Sequence, residues 1–153
     1  MSAEKNLKKL NIELPKATDS LGSYVATKMI GKQLFVSGQV SIDKNGNFIK
    51  GKVGKDLNLE QAYEAAKRCA LNIIAQAKKA ANNDLSNIKG CIKLTGFVNS
   101  TDDFTDQPKV INGASDLIFQ IFENEGAHTR AAVSTNSLPL GVAVEVEAIF
   151  ELN

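Results

Sequence analysis

The sequence predicts an α+β domain, one mixed β-sheet carrying two helices on a single face. Three observations lead there. Apolar residues alternate with period two in "YVATKMIGKQLFVSGQVSI", in "CIKLTGFVNS" and in the C-terminal "HTRAAVSTNSLPLGVAVEVEAIF". Two long stretches between these segments repeat their apolar residues at helical spacing instead. Turn signals at Gly31, at "DKNGN" and at the Pro139–Gly141 stretch punctuate the strands, and no repeat, linker or low-complexity tract divides the chain, so residues 1–153 read as one domain.

Taken in order, a short helix is expected from about Glu4 to Leu10, with Leu7 and Leu10 on one side, before Pro15 and "ATDSLG" break the pattern. Two strands then fold on a tight turn at Gly31, and the "DKNGN" that follows is the strongest turn signal, since Asn-Gly tolerates positive φ. The small residues of "SGQ" suggest a strand end approached closely by another group. In "NLEQAYEAAKRCALNIIAQAKKAANN", Asn58 and Gln61 stand at capping-box spacing. Leu59, Ala62, Ala66, Cys69, Ala70, Ile73 and Ala77 then make one apolar face whose alanines permit close packing on a sheet. A strand follows at 91–100. The second long helix is expected with Thr105 or Asp106 as its cap, Val110, Ala114, Leu117, Ile118 and Phe122 as its buried stripe, and Gly126 as its stop. Two strands joined by a Pro-Gly turn close the chain. The order β-β, α, β, α, β-β predicts parallel pairing across each helix and a hairpin at each end. A sheet covered on one face leaves the other bare, and a second subunit is the simplest cover, so an oligomer is expected.

Composition narrows the function classes. Hydrophobic content of 43% and charged content of 23% are those of an ordinary globular protein. Eighteen basic and seventeen acidic residues leave a net charge of +1, with none of the Lys/Arg surplus that phosphate binding needs. The "KNLKKL" near the start reads as a solvated helix face. Nucleic acid and membrane are therefore not the expected partners. With no signal-like N-terminus and no bilayer-length apolar run, a cytoplasmic location is expected. Cys69 and Cys91, without a CxxC, read as two buried thiols in a reducing compartment.

Most catalytic constellations are missing. A single histidine, His128, cannot form a histidine-based metal site or a histidine pair within one chain, and beside a helix end it reads as structural. Asp102 and Asp103 precede the second long helix, where negative charge offsets the helix dipole. No GxSxG, P-loop or GxGxxG occurs. Trp is absent and Tyr scarce, which leaves no aromatic platform for stacking bases. Arg130 and Glu145 remain. On a strand from about 142, Val142, Val144, Val146 and Ala148 alternate with Ala143, Glu145, Glu147 and Ile149, so both glutamates share one face. Two readings stay open on pattern alone. The face is solvated and Arg130 pairs with a glutamate across the ladder, or Arg130 grips a small carboxylate while a glutamate holds a water.

The stretches "GSYVAT", "LFVSGQV", the Asn and Phe of the second long helix and above all "TRAAVSTNSLPLGVAVEVEAIFEL" resemble the RidA (YjgF, L-PSP) family over nearly the whole chain. In the last stretch Arg130, Pro139, Glu145, Glu147 and Ala148 match the family's C-terminal signature. The resemblance implies a chorismate-mutase-like fold. It also implies a homotrimer whose sheets form a central barrel, with ligand clefts between subunits. The implied activity is cofactor-free hydrolysis of 2-imino and enamine acids to 2-keto acids and ammonia, as in a 2-iminobutanoate/2-iminopropanoate deaminase. No metal or other cofactor is implied. By the same resemblance Arg130 binds the substrate carboxylate and Glu145 attends the attacking water. Tyr24 lines the cleft from an adjoining subunit, Ser37 and Gly38 shape its floor, and Asn112 matches a helix asparagine one residue out of step.

The chain departs from the family at Ala132, where many members carry a cysteine two residues after the arginine. Alanine cannot act as a nucleophile, although hydrolysis by water needs none. That alanine, the loop "VSTNSLPLG" and the longer chain indicate a divergent branch. Two alternatives stand beside the deaminase. One is a non-catalytic trimer that binds a 2-oxoacid for sensing. The other is the ribonuclease associated with the family's older names, which the charge and the single histidine disfavour.

Overall fold

A computed structural model describes residues 2–153, which form three α-helices around one five-stranded sheet. The first helix, Ala3–Lys9 (α1), packs on the second long helix, where Asn6 is buried and its Nδ2 donates to the Ile121 carbonyl at 2.9 Å. Thr27–Ile30 (β1) and Gln33–Val40 (β2) form the expected opening hairpin, turned on Gly31 with φ at +58°. The "DKNGN" turn also forms, and the Asp43 carboxylate accepts from the backbone N–H of Asn45 and Asn47.

Leu59–Ala80 (α2) starts on the expected capping box: Asn58 accepts from the Gln61 N–H and Gln61 from the Asn58 N–H, each at 2.9 Å. Its alanine face is buried, and α2 lies over β2 and the last strand. Ile88–Asn99 (β3) begins three residues before the expected start, directly after a 3-10 turn at Leu85–Asn87. Gln107–Phe122 (α3) buries the whole expected stripe. Asp106 occupies the N-cap position but its side chain makes no capping bond. Asp102 and Asp103 lie in the turn before it and do not cap the helix. The helix stops before Gly126, at Phe122, because Glu123 turns to φ +54° and a 3-10 turn runs through Glu123–Gly126. Gly126 serves packing instead: a Cβ there would lie 2.7 Å from the Ile118 carbonyl oxygen.

Thr129–Thr135 (β4) and Val144–Leu152 (β5) complete the sheet, whose order is β1-β2-β5-β3-β4. The closing hairpin expected from the Pro-Gly turn is absent. The chain after β4 crosses the end of β3, and β5 enters antiparallel between β2 and β3. Parallel pairing holds across α3, between β3 and β4, but not across α2, where β5 separates β2 from β3. Burial explains the insertion. Val144, Val146, Ala148 and Phe150 of β5 are all buried under the helices, as a central strand requires, whereas β4 offers only Arg130, Ala132 and Ser134 to that side. The ammonium of Lys52 fastens the crossing, donating to Asn99 Oδ1 at 3.0 Å and to the Asn136 carbonyl at 2.7 Å.

Both long helices lie on one face, as expected. The opposite face presents Ile30 (58% exposed), Phe35 (36%) and Val133 (45%) among polar residues.

Candidate functional site

Arg130 lies on β4, the sheet edge, opposite Leu94 of β3, which in turn faces Ala148 of β5. Residues in register share a face, and Leu94 and Ala148 are buried under the helices. Arg130 therefore points to the helix side, and α3 receives it. Its Nη1 donates to Asn112 Oδ1 at 2.8 Å and to Ser115 Oγ at 3.1 Å, and its Nη2 donates to the Pro108 carbonyl at 3.2 Å. Three of five guanidinium N–H groups are engaged at the end facing α3. Nε–H and one Nη2–H remain, and a carboxylate fork needs two donors.

Ser115 links Arg130 to His128, whose Nε2 is 2.9 Å from Ser115 Oγ and whose Nδ1 is 2.6 Å from the Gly126 carbonyl oxygen. The expected structural histidine thus adjoins the arginine. Asn112, matched one residue out of step, is in direct contact with Arg130. Ser115 was absent from the candidates. Its available signal is spacing, since positions 112 and 115 are one helical turn apart and share a face.

Glu145 lies on the other face. It is in register with Phe97 of β3, which faces Val133 of β4, and with Val40 of β2. Cross-ladder pairing of Arg130 with Glu145 or Glu147 does not occur: β3 separates the strands, and Arg130 lies on the opposite side of the sheet. Around Glu145 the register of β2 slips between Val36 and Gln39. Gly38 sits in that irregularity, and a Cβ there would collide with the Glu145 carboxylate oxygen. The close approach suggested by "SGQ" is that of Glu145 itself. Ser37 donates from Oγ to the Val25 carbonyl at 2.7 Å, tying the segment after Tyr24 to this strand. Tyr24 itself is 57% exposed.

Partial burial raises the Glu145 pKa above its ordinary value, and the negative charge of Glu147, two residues along on the same face, adds to the rise. A carboxylate so shifted accepts a proton more readily than an ordinary one does. Beneath it Cys69 is fully buried, its thiol donating to the Val144 carbonyl at 3.4 Å and pushed strongly up in pKa by burial. Burial likewise pushes the Cys91 thiol up to about 12. Both are free thiols and, as expected, buried. Among the described residues no group of three or more His, Cys, Asp or Glu is placed to hold a metal ion, and no helix is long and apolar enough to cross a membrane.

Five strands in the order β1-β2-β5-β3-β4, helices on one face and a guanidinium clasped at the sheet edge define an α+β protein of the chorismate-mutase-like kind. The chain belongs to the RidA (YjgF) family. A family model described as "YjgF/chorismate mutase-like, putative endoribonuclease" matches residues 4–152. Among similar proteins, Protein TCP17 of Trypanosoma cruzi is 44% identical over 97% of this chain and 92% of its own length. A rat protein named 2-iminobutanoate/2-iminopropanoate deaminase is 27% identical over 90% of this chain and 86% of its own. The crystal structure of Atu1372 from Agrobacterium tumefaciens, described as of unknown function, superposes with a TM-score of 0.91. It is 44% identical and covers 99% of this chain and 92% of its own.

Proposed function

We propose that the chain hydrolyses 2-imino acids, and the enamine acids that tautomerise to them, to 2-keto acids and ammonia without a cofactor. In this reading a homotrimer forms through the open sheet faces, and the site is completed between subunits. The observation that carries the reading is the state of Arg130: it is clasped on one side and keeps two donors, enough for one carboxylate. The deaminase names of the rat, mouse and human relatives support the substrate class. Opposite placement of Arg130 and Glu145 supports a shared site, because one chain cannot turn both toward one small molecule.

The chemistry asks little beyond positioning. A protonated imine carbon is already electrophilic, so the protein need only hold it beside an ordered water. Arg130 fixes the substrate carboxylate. Glu145 of the other subunit accepts a proton as the water adds to the C=N carbon, and returns it to nitrogen as the carbinolamine collapses. The C–N bond breaks, ammonia leaves with the bonding pair, and the added oxygen gives its remaining proton to the Glu145 carboxylate as it becomes the keto oxygen. Tyr24, Ser37 and Gly38 line the cavity on the Glu145 side. Ala132 is no obstacle, since water is the nucleophile at every stage.

The experiment generates 2-iminopropionate or 2-iminobutyrate with a serine/threonine dehydratase and follows its hydrolysis. Wild-type protein accelerates it, and Arg130→Ala falls at least about 100-fold toward background. Wild-type rates equal to the Arg130→Ala background sink the proposal. Saturable binding of a 2-oxoacid without turnover would instead establish the sensing alternative, which uses the same arginine.

A further inference from the structure

We infer that Ser115 and His128 are positioning residues for Arg130, forming a polarised hydrogen-bond relay that fixes which edge of the guanidinium meets the substrate carboxylate. Donor chemistry fixes the direction of the first bond, and in the neutral ring the others follow from it. The Gly126 carbonyl can only accept, so His128 Nδ1, 2.6 Å away, carries the proton. In the neutral ring Nε2 is then bare and accepts, so the Ser115 hydroxyl donates to it across 2.9 Å. With its proton committed to His128, Ser115 Oγ turns its lone pairs to Arg130 Nη1–H at 3.1 Å. Guanidinium, hydroxyl, imidazole and backbone carbonyl thus form one chain in which every donor has an acceptor.

Without the imidazole the hydroxyl has another option. A serine within a helix readily donates to the carbonyl four residues back, and it is then no longer oriented by the sheet edge. Asn112 Oδ1 takes the second Nη1–H and the Pro108 carbonyl takes one Nη2–H, so the relay completes a three-point clasp. The clasp uses both Nη1 donors. The fork left for a ligand is the Nε/Nη2 edge, a side-on approach, and an end-on approach through Nη1 and Nη2 is closed. Substrates must therefore present the carboxylate to that one edge.

This inference rests on the reading of Arg130 as the carboxylate anchor, so its test includes an arm that needs no turnover. The chain has two arginines, Arg68 and Arg130. Selective 15N labelling of arginine therefore gives two guanidinium signals, with Arg68, which donates from Nε to the Ile42 carbonyl at 2.9 Å, as internal reference. In wild-type protein the Arg130 Nη protons should be resolved and slow to average. Ser115→Ala and His128→Leu should collapse them, while His128→Gln, whose amide oxygen replaces the Nε2 acceptor, should keep them. In the hydrolysis assay Ser115→Ala and His128→Leu should raise KM about 5- to 20-fold with kcat within about twofold, and His128→Gln should restore KM. Unchanged Arg130 signals in either Ser115→Ala or His128→Leu overturn the relay, as does a fall in kcat at constant KM. A wild-type protein without hydrolase activity would defeat the deaminase reading, and the labelling arm would still decide the relay.

Discussion

Arg130 and Glu145 occupy the two faces of one sheet, and the two faces hold them by opposite means. On the helix side Arg130 is fixed by contacts: three acceptors from α3 engage it, and Ser115 and His128 stand behind one of them. On the open side Glu145 is fixed by space: a missing Cβ at Gly38 and a slip in the β2 register leave room for its carboxylate. Clasping suits a group that must present one edge to an anion, and it leaves a guanidinium's charge intact. A cleared space suits a group that must hold a water and exchange a proton, since acceptors and donors packed around it would compete with both. The sheet keeps the two apart within one chain, and in the proposed function each supplies what the other lacks.

The largest effect that tests this division is recovery of activity from two dead proteins. Arg130→Ala subunits keep Glu145, and Glu145→Gln subunits keep Arg130. Refolded together at equal ratio and assorted at random, about one interface in four joins an intact Arg130 to an intact Glu145. The mixture should therefore recover about a quarter of wild-type activity, although each variant alone lies near background. A mixture no more active than its components would place both residues' work within one chain and remove the shared cleft.

Much of the arrangement was legible because it is local. Asn58 with Gln61 marks the start of α2, Gly31 sets the first hairpin, and the alanine stripe identifies the face laid on the sheet. Strand order was not legible, because it depends on pairings far apart in the chain, and the loop through Pro139 and Gly141 looks like a hairpin turn from either side. Two cues lay in the strands themselves. β5 shows an unbroken apolar row at Val144, Val146, Ala148 and Phe150, the mark of a central strand, while Arg130, Ala132 and Ser134 give β4 the small and polar row of an edge. That misplaced hairpin is why Arg130 and Glu145 read as ladder neighbours. Family resemblance put the two in one cleft, and the topology sets them on opposite faces of one chain's sheet. Ser115 escaped notice because a lone serine in a helix has no signature until its neighbour across the gap is known.

Gly38→Ala probes the open side alone, at a smaller scale. Gly38 does not require positive φ, so the backbone tolerates alanine. The added methyl meets the end of a flexible side chain, and the Glu145 carboxylate can rotate away. Stability should therefore change by less than about 1 kcal/mol, while kcat falls about 10-fold or more because the carboxylate has left its place beside the water. Arg130 is untouched, so 2-oxoacid affinity should stay within about twofold. An equal loss in binding would mean that Glu145 and Arg130 are not separable in function.

The smallest effect concerns Glu145 as a charge. Burial and then Glu147 raise its pKa in the folded chain, so the native state binds this proton more tightly than the unfolded state does. Stability contributed by the group is present below the ordinary carboxyl range and is lost as pH rises through the elevated folded value. Glu145→Gln removes that cost. At pH 7 and fixed protein concentration the variant should melt about 1–2 °C above wild type, and the difference should shrink toward zero as pH falls below the ordinary carboxyl range, where the glutamate is protonated in both states. The opposite sign at pH 7, with Glu145→Gln melting lower, would require a cation on the carboxylate in the assembled protein. Arg130 of a neighbouring subunit would then pair with Glu145 directly in the unliganded state, and substrate would have to part them. A rise in melting temperature instead means that no cation offsets the partly buried charge of Glu145 in the unliganded protein.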